Sequence, residues 1–71
     1  MEEILKTIRE NLRYYRKEAG LTQERLAAML GGQKSLVSNY ENGHSLPDVL
    51  TLCKLADIFA VGVDDILGRN R

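Results

Sequence analysis

With 71 residues, the chain makes one small domain, close to the size below which a hydrophobic core alone no longer sustains folding. One cysteine, Cys53, and one histidine, His44, exclude an internal disulfide and a metal cluster, and no apolar run reaches the ~20 residues that span a bilayer. Ten basic residues balance ten acidic ones, so the chain has no overall basic footprint, although cations are in excess up to Lys34 and acids beyond it.

The opening segment MEEILKTIRE puts acids before any apolar stretch, unlike a secretory signal. With the lone cysteine this points to a soluble, cytoplasmic protein. Leu5, Ile8, Leu12 and Tyr15 recur at helical spacing and predict a first helix over about 3–19, ended by Gly20, with Arg9, Arg13 and Arg16 along another side. Thr22 suits the N-cap of a second helix, about 22–30, in which Leu26, Ala27 and Leu30 face inward and Gly31 closes the element. A third helix follows over about 33–42. At about 100° per residue, Lys34, Ser38, Asn42, Ser35 and Asn39 fall within one arc of roughly 140°, while Leu36, Val37 and Tyr40 take the other side. Tyr40 is therefore expected in the core, with its hydroxyl at the rim.

Gly43 ends that helix, and the short loop HSLP leads to Asp48, an N-cap for a fourth helix over about 48–59. Its predicted buried stripe is Val49, Leu52, Leu55, Ala56 and Phe59, and Cys53 reads as a small core residue. Val63, Ile66 and Leu67 fit a fifth helix, about 63–67, closed by Gly68 and followed by a tail over 69–71. There is no strand pattern, internal repeat or low-complexity stretch, so the fold class is all-α.

Three motifs, LTQERLA, SLVSNYENG and LPDVLTLCKLADIF with the following VDDIL, together resemble the helix-turn-helix domain of phage lambda-type repressors and Cro proteins, the xenobiotic-response-element family. The likeness runs from roughly Ile8 to Leu67. It implies a compact five-helix lambda-repressor-like DNA-binding domain whose helix-turn-helix is formed by the second and third helices. The activity it implies is sequence-specific regulation of transcription, with repression the first expectation, exerted on double-stranded DNA.

The third helix would then read the major groove through Gln33, Lys34, Ser35, Ser38 and Asn39, whose side chains can donate to or accept from base edges. Arg16, Gln23 and Asn42 would hold backbone phosphates, and Glu41 and Tyr40 would position the reading helix. Glu41 would do so through an ion pair with Arg16. Arg13 and Lys17 read as general electrostatic or solubility residues, and His44 as an exposed loop residue. A homodimer through the C-terminal half is expected, and Leu50 and Ile58, together with Ile66 or Leu67, read either as its apolar surface or as extra core packing. No cofactor, small-molecule ligand or membrane partner is implied.

The chain departs from the family pattern in several places. Gly32 stands where an apolar residue is usual and Gln33 where a Ser or Thr cap is usual, which predicts a loosely held entrance to the third helix. The loop His44, Ser45, Leu46 lacks the customary basic residues. Ala60 replaces a glycine and Gly62 a capping serine, and because a left-handed alanine is costly, the turn after the fourth helix is expected to be reshaped. The competing reading is a protein-interaction module, antitoxin-like or a regulatory partner, that keeps the fold with weak DNA binding. An enzyme is disfavoured, since the sequence has no metal cluster, no phosphate-binding glycine loop and no nucleophile paired with a base.

Overall fold

In a computed structural model describing residues 2–69, the chain forms five helices, α1 Glu2–Glu18, α2 Gln23–Met29, α3 Lys34–Asn42, α4 Val49–Phe59 and α5 Val63–Leu67. Of the expected tail, Asn70 and Arg71 lie outside the described residues. No strand occurs among the described residues, so the all-α expectation holds. The helices begin and end within a residue or two of their expected limits, because cap residues flank a helix without belonging to it.

Local chemistry explains the boundaries. Thr22 Oγ1 accepts the Arg25 N–H at 3.0 Å and starts α2, and Asp48 Oδ1 accepts the Thr51 N–H at 2.8 Å and starts α4. Each satisfies one of the orphan donors that every helix N-terminus carries. Gly62 has no side chain to do this at α5, and the bond runs the other way, with Asp65 Oδ2 accepting the Gly62 N–H at 2.9 Å. At the far end of α3, Gly43 turns the chain with φ 83° and sends its N–H and that of His44 back to Tyr40 O and Asn39 O.

The core consists of Ile8 and Leu12 from α1, Leu26 and Ala27 from α2, Val37 and Tyr40 from α3, Leu55 and Ala56 from α4, and Ile66 from α5. Ala27 is wholly buried, and its small side chain lets α2 pack closely on α3. α1 runs across both halves of the molecule. Asn11 Nδ2 donates to Asp65 O and Ile66 O at 3.2 and 3.0 Å, satisfying carbonyls at the end of α5, and farther along α1 reaches α3 through Arg13 and Arg16. Tyr15 stacks on Phe59 with ring centroids 5.9 Å apart, closing the core between α1 and α4.

Four expectations need correction. Val49 is 77% exposed, because it is the first residue of α4 and its side chain tilts back beyond the packed turns. Cys53 is an exposed free thiol, since it lies past the edge of the buried arc of α4. Ile66 is entirely buried, so it cannot contribute to an outer apolar surface, and Ile58 and Leu67 are half-buried against the core. The turn after α4 is not reshaped. Ala60 itself takes the left-handed conformation, with φ 58° and ψ 42°, and its N–H and that of Val61 return to Asp57 O and Ala56 O.

The tertiary contacts of α4 and α5 therefore impose on Ala60 a backbone geometry that costs an L-residue on the order of 1 kcal/mol. Ala60→Gly should stabilise the chain by about that amount, read as a higher urea midpoint at unchanged helical circular dichroism. A lower midpoint would show that the methyl group makes compensating contacts.

Candidate nucleic-acid interface

The α3 helix has a buried side and an open one. Val37, Tyr40 and Glu41 are buried and Leu36 is half-buried, whereas Lys34, Ser35, Asn39 and Asn42 are exposed and Ser38 is half-buried between the two sides. Gln33, the N-cap residue, is exposed and its side chain caps nothing. All six polar candidates on and beside α3 thus share one solvent-facing surface, and none of the described residues covers it.

Asn42 Nδ2 donates to Ser38 Oγ at 3.2 Å. This one-turn pair limits the rotamers of both residues and leaves the Ser38 hydroxyl hydrogen and the second amide hydrogen of Asn42 free to donate outward. Among the described residues, the side chains of Lys34, Ser35 and Asn39 have no hydrogen bond or ion pair to break before meeting another molecule.

What fixes α3 in place lies on its inner rim. Glu41, whose carboxylate is wholly shielded from solvent, accepts Arg16 Nε on Oε2 at 2.6 Å and Arg16 Nη2 on Oε1 at 3.1 Å, a two-pronged arrangement. Oε1 also accepts Gln23 Nε2 at 3.0 Å and, more weakly, Arg13 Nε at 3.5 Å. Arg16 Nη1 donates to Leu21 O at 2.8 Å. α1, the first turn of α2 and the last turn of α3 therefore converge on one carboxylate, and Arg16 ties the turn before α2 to them. Burial pushes the Glu41 carboxyl pKa up, but the hydrogen bonds from Arg16 and Gln23 and the charge of Arg16 outweigh this and hold it below the usual carboxylate range. Among the described residues, no buried side-chain nitrogen or oxygen lacks a partner.

This arrangement bears on the phosphate candidates. Arg16 is buried, with three of its N–H donors engaged internally, so the geometry makes it a clamp on Glu41 and leaves little of its fork for a phosphate. Gln23 is half-buried. Because a carboxylate can only accept, its amide nitrogen must face Glu41, which leaves one amide hydrogen for an outer acceptor. Asn42 is exposed at the end of α3.

Tyr40 anchors the opposite rim. Burial pushes its hydroxyl pKa up, the nearby Asp48 adds to the rise, and a side-chain hydrogen bond with Thr51 on α4 opposes it. At the entrance to α3, a side chain at Gly32 would collide with Leu36 Cδ2 at 2.8 Å, so Leu36 occupies the space that an apolar residue at position 32 would fill.

Sequence reasoning missed the contributions of Gln23, Arg13 and Leu21 O to the Glu41 cluster. A signal was present for Glu41 alone, because the helical wheel puts it about 20° from Lys34, at the border where a long side chain can turn inward.

Comparisons with known proteins identify the family. A family model described as helix-turn-helix matches residues 12–66. The chain is 36% identical over 61 residues to the HTH-type transcriptional regulator ImmR of Bacillus subtilis, covering 86% of this chain and 48% of that protein. It is 34% identical over 62 residues to the cryptic phage CTXphi transcriptional repressor RstR of Vibrio cholerae, covering 87% and 55%. The HTH-type transcriptional regulator AnsR of Bacillus subtilis is likewise 34% identical over 62 residues, with 87% and 53% covered. The chain thus spans about half the length of these relatives. No solved structure matches it.

Because the folded-state pKa of Glu41 lies below its ordinary value of 4.5, its charge contributes stability above that value and the contribution is lost as pH falls through the lowered one. Glu41→Ala, which strands Arg16, should cost on the order of 3 kcal/mol near neutral pH. The stability gap between parent and variant should narrow as pH falls below the ordinary value and through the lowered one. Urea melts at several pH values check both expectations, and a pH-independent gap would contradict them.

Proposed function

The chain belongs to the helix-turn-helix family, and from that premise we propose that it is a sequence-specific, duplex-DNA-binding transcriptional regulator, a repressor, that lays α3 in the major groove. The observation that carries this reading is the open polar face of α3, held outward by the buried contacts of Val37, Tyr40 and Glu41. Lys34 can donate to guanine O6 or N7, Gln33 or Asn39 can pair with adenine, and Ser35 and Ser38 can serve either base type. Gln23 and Asn42 supply phosphate contacts from the two helix ends, while Arg16 acts through Glu41 as a positioning residue.

A single helix reads only a few base pairs, so the working form is a homodimer on two half-sites about 34 Å apart, one turn of DNA. The dimer surface we assign is the exposed apolar group Leu46, Val49 and Leu50, which are 50%, 77% and 75% exposed. It stands in place of the Ile58 and Ile66 surface that the fold takes up in packing. Among the described residues no helix is long and apolar enough to cross a membrane, in keeping with action on cytoplasmic DNA. The reading requires no catalysis and no cofactor.

The balanced charge and the nonbasic loop at His44, Ser45 and Leu46 favour one competitor, a protein-interaction module that retains the fold with weak DNA binding. Selection of bound sequences from a random duplex pool separates the two. The regulatory reading expects recovery of a palindromic site, and expects a Lys34→Ala, Ser38→Ala, Asn39→Ala triple variant to fold normally and lose preference for it. If no sequence is enriched by the parent chain, the interaction module prevails.

A further inference from the structure

Arg9 stands where α1 passes the end of α3. A methyl group added at Gly43 would come within 2.8 Å of Arg9 Nη1 and 2.9 Å of its Cδ, so the Arg9 side chain lies across the left-handed turn that leads from α3 into the following loop. Unlike Arg16, it makes no hydrogen bond or ion pair among the described residues. Its side chain is half-buried, which limits its conformational freedom, yet the whole guanidinium fork is available to an acceptor.

Arg9 is one of a row of cations. Lys6, Arg9, Arg13 and Lys17 follow one another along α1 within an arc of roughly 80° and line a surface depression of about 300 Å³. Two carboxylates also line it. Glu41 is engaged internally by Arg16, Gln23 and, more weakly, Arg13, Glu10 shares this depression, and Glu2 and Glu3 line a neighbouring one with Lys6 and Arg9 nearer the start of α1. A third depression, of about 280 Å³, joins Arg9 to Gly43, His44, Ser45 and Leu46. Arg9 is common to all three, so the cationic row on α1 continues to the α3–α4 loop, which carries no Lys or Arg of its own.

We infer that Arg9 binds a phosphate of the duplex beside the exit of α3, supplying from α1 the cation that the loop lacks. The inference rests on the DNA-binding reading above. A helix lying in the major groove has its ends near the phosphates that wall the groove, and Gly43 marks one of those ends. The planar arginine fork fits two phosphate oxygens where a lysine offers only a point charge. Arg13 and Lys17 extend the same field along α1 without a fixed partner on the DNA.

The test compares the full chain with Arg9→Gln on the selected duplex and on a random duplex across salt concentrations. Loss of one phosphate contact should make the slope of log K against log[salt] shallower by about 0.9. It should weaken both duplexes by the same factor and leave the ratio between them unchanged. Adding Ser45→Lys to Arg9→Gln should restore the slope, and Lys54→Gln, which removes an exposed cation from α4, should leave it as in the parent.

Should Arg9 instead serve only as a counter-charge to the C-terminal dipole of α3, Arg9→Gln would lower the melting temperature and keep the parental slope, which overturns the inference. An equal change of slope for Lys54→Gln would overturn it as well, since the effect would then be one of total charge. A parent chain that binds neither duplex removes the regulatory reading together with this one, whereas a parent that binds while Arg9→Gln keeps its slope removes this one alone.

Discussion

A single ionised carboxylate buried among three helices sets the geometry on which the rest of the molecule depends. A lone charge in an apolar interior would take up a proton rather than stay charged. Glu41 escapes this because the Arg16 fork meets both of its oxygens and Gln23 adds a neutral donor. Such a cluster tolerates little displacement, since moving any member by an ångström leaves a desolvated charge unmatched. The angle between α1 and α3, and the docking of α2 beside them, follow from that requirement together with the packing of Leu26, Ala27 and Val37. The direction in which Lys34 and Asn39 project is a consequence.

The two ends of α3 are held unequally. Its C-terminal turn has Glu41 on one rim, Tyr40 against α4 on the other, and a left-handed glycine that satisfies the last carbonyls. The N-terminal turn has no side-chain cap, no acidic residue and no side chain at position 32, and what covers it is Leu36 folded back over Gly32. The weaker end is also the one that carries Gln33, Lys34 and Ser35. Local opening concentrates where backbone donors lack partners and apolar contacts are few, so the residues with most freedom to adjust sit at the entrance of the helix, while its exit is anchored.

The sequence made most of this architecture legible. Periodic apolar residues and glycines at helix ends marked all five helices, and Thr22 and Asp48 act as caps where their side chains suggested. Failures came where a rule about single helices met the rest of the chain. Val49 fits the apolar arc of α4 but sits at its first position, beyond the reach of the neighbouring helices. Cys53 was placed by residue type, though the wheel puts it outside the arc. Ala60 obeys the tertiary path at the expense of its own backbone preference. The Glu41 cluster was legible only in part, because a pairing between residues 25 positions apart could come from family resemblance, while the added donors Gln23 and Arg13 depend on how α2 and α1 lie together, which no local pattern encodes. Arg9 had no signal at all until Gly43 was seen beneath it.

The side chains that hold the recognition helix and those that face away from it form separate sets. Arg16, Gln23 and Glu41 depend on one another, so substitutions among them are coupled and single changes are costly. The side chains of Lys34, Ser35 and Asn39 make no hydrogen bond or ion pair among the described residues, and changes at such surface positions shift folding stability by only about 0.5 kcal/mol or less. On the proposed DNA-binding reading, new target sequences are thus open to the lineage through one-step changes on the outer face, while the inner rim stays locked. Evolvability of specificity is built into which side of one short helix carries the hydrogen bonds.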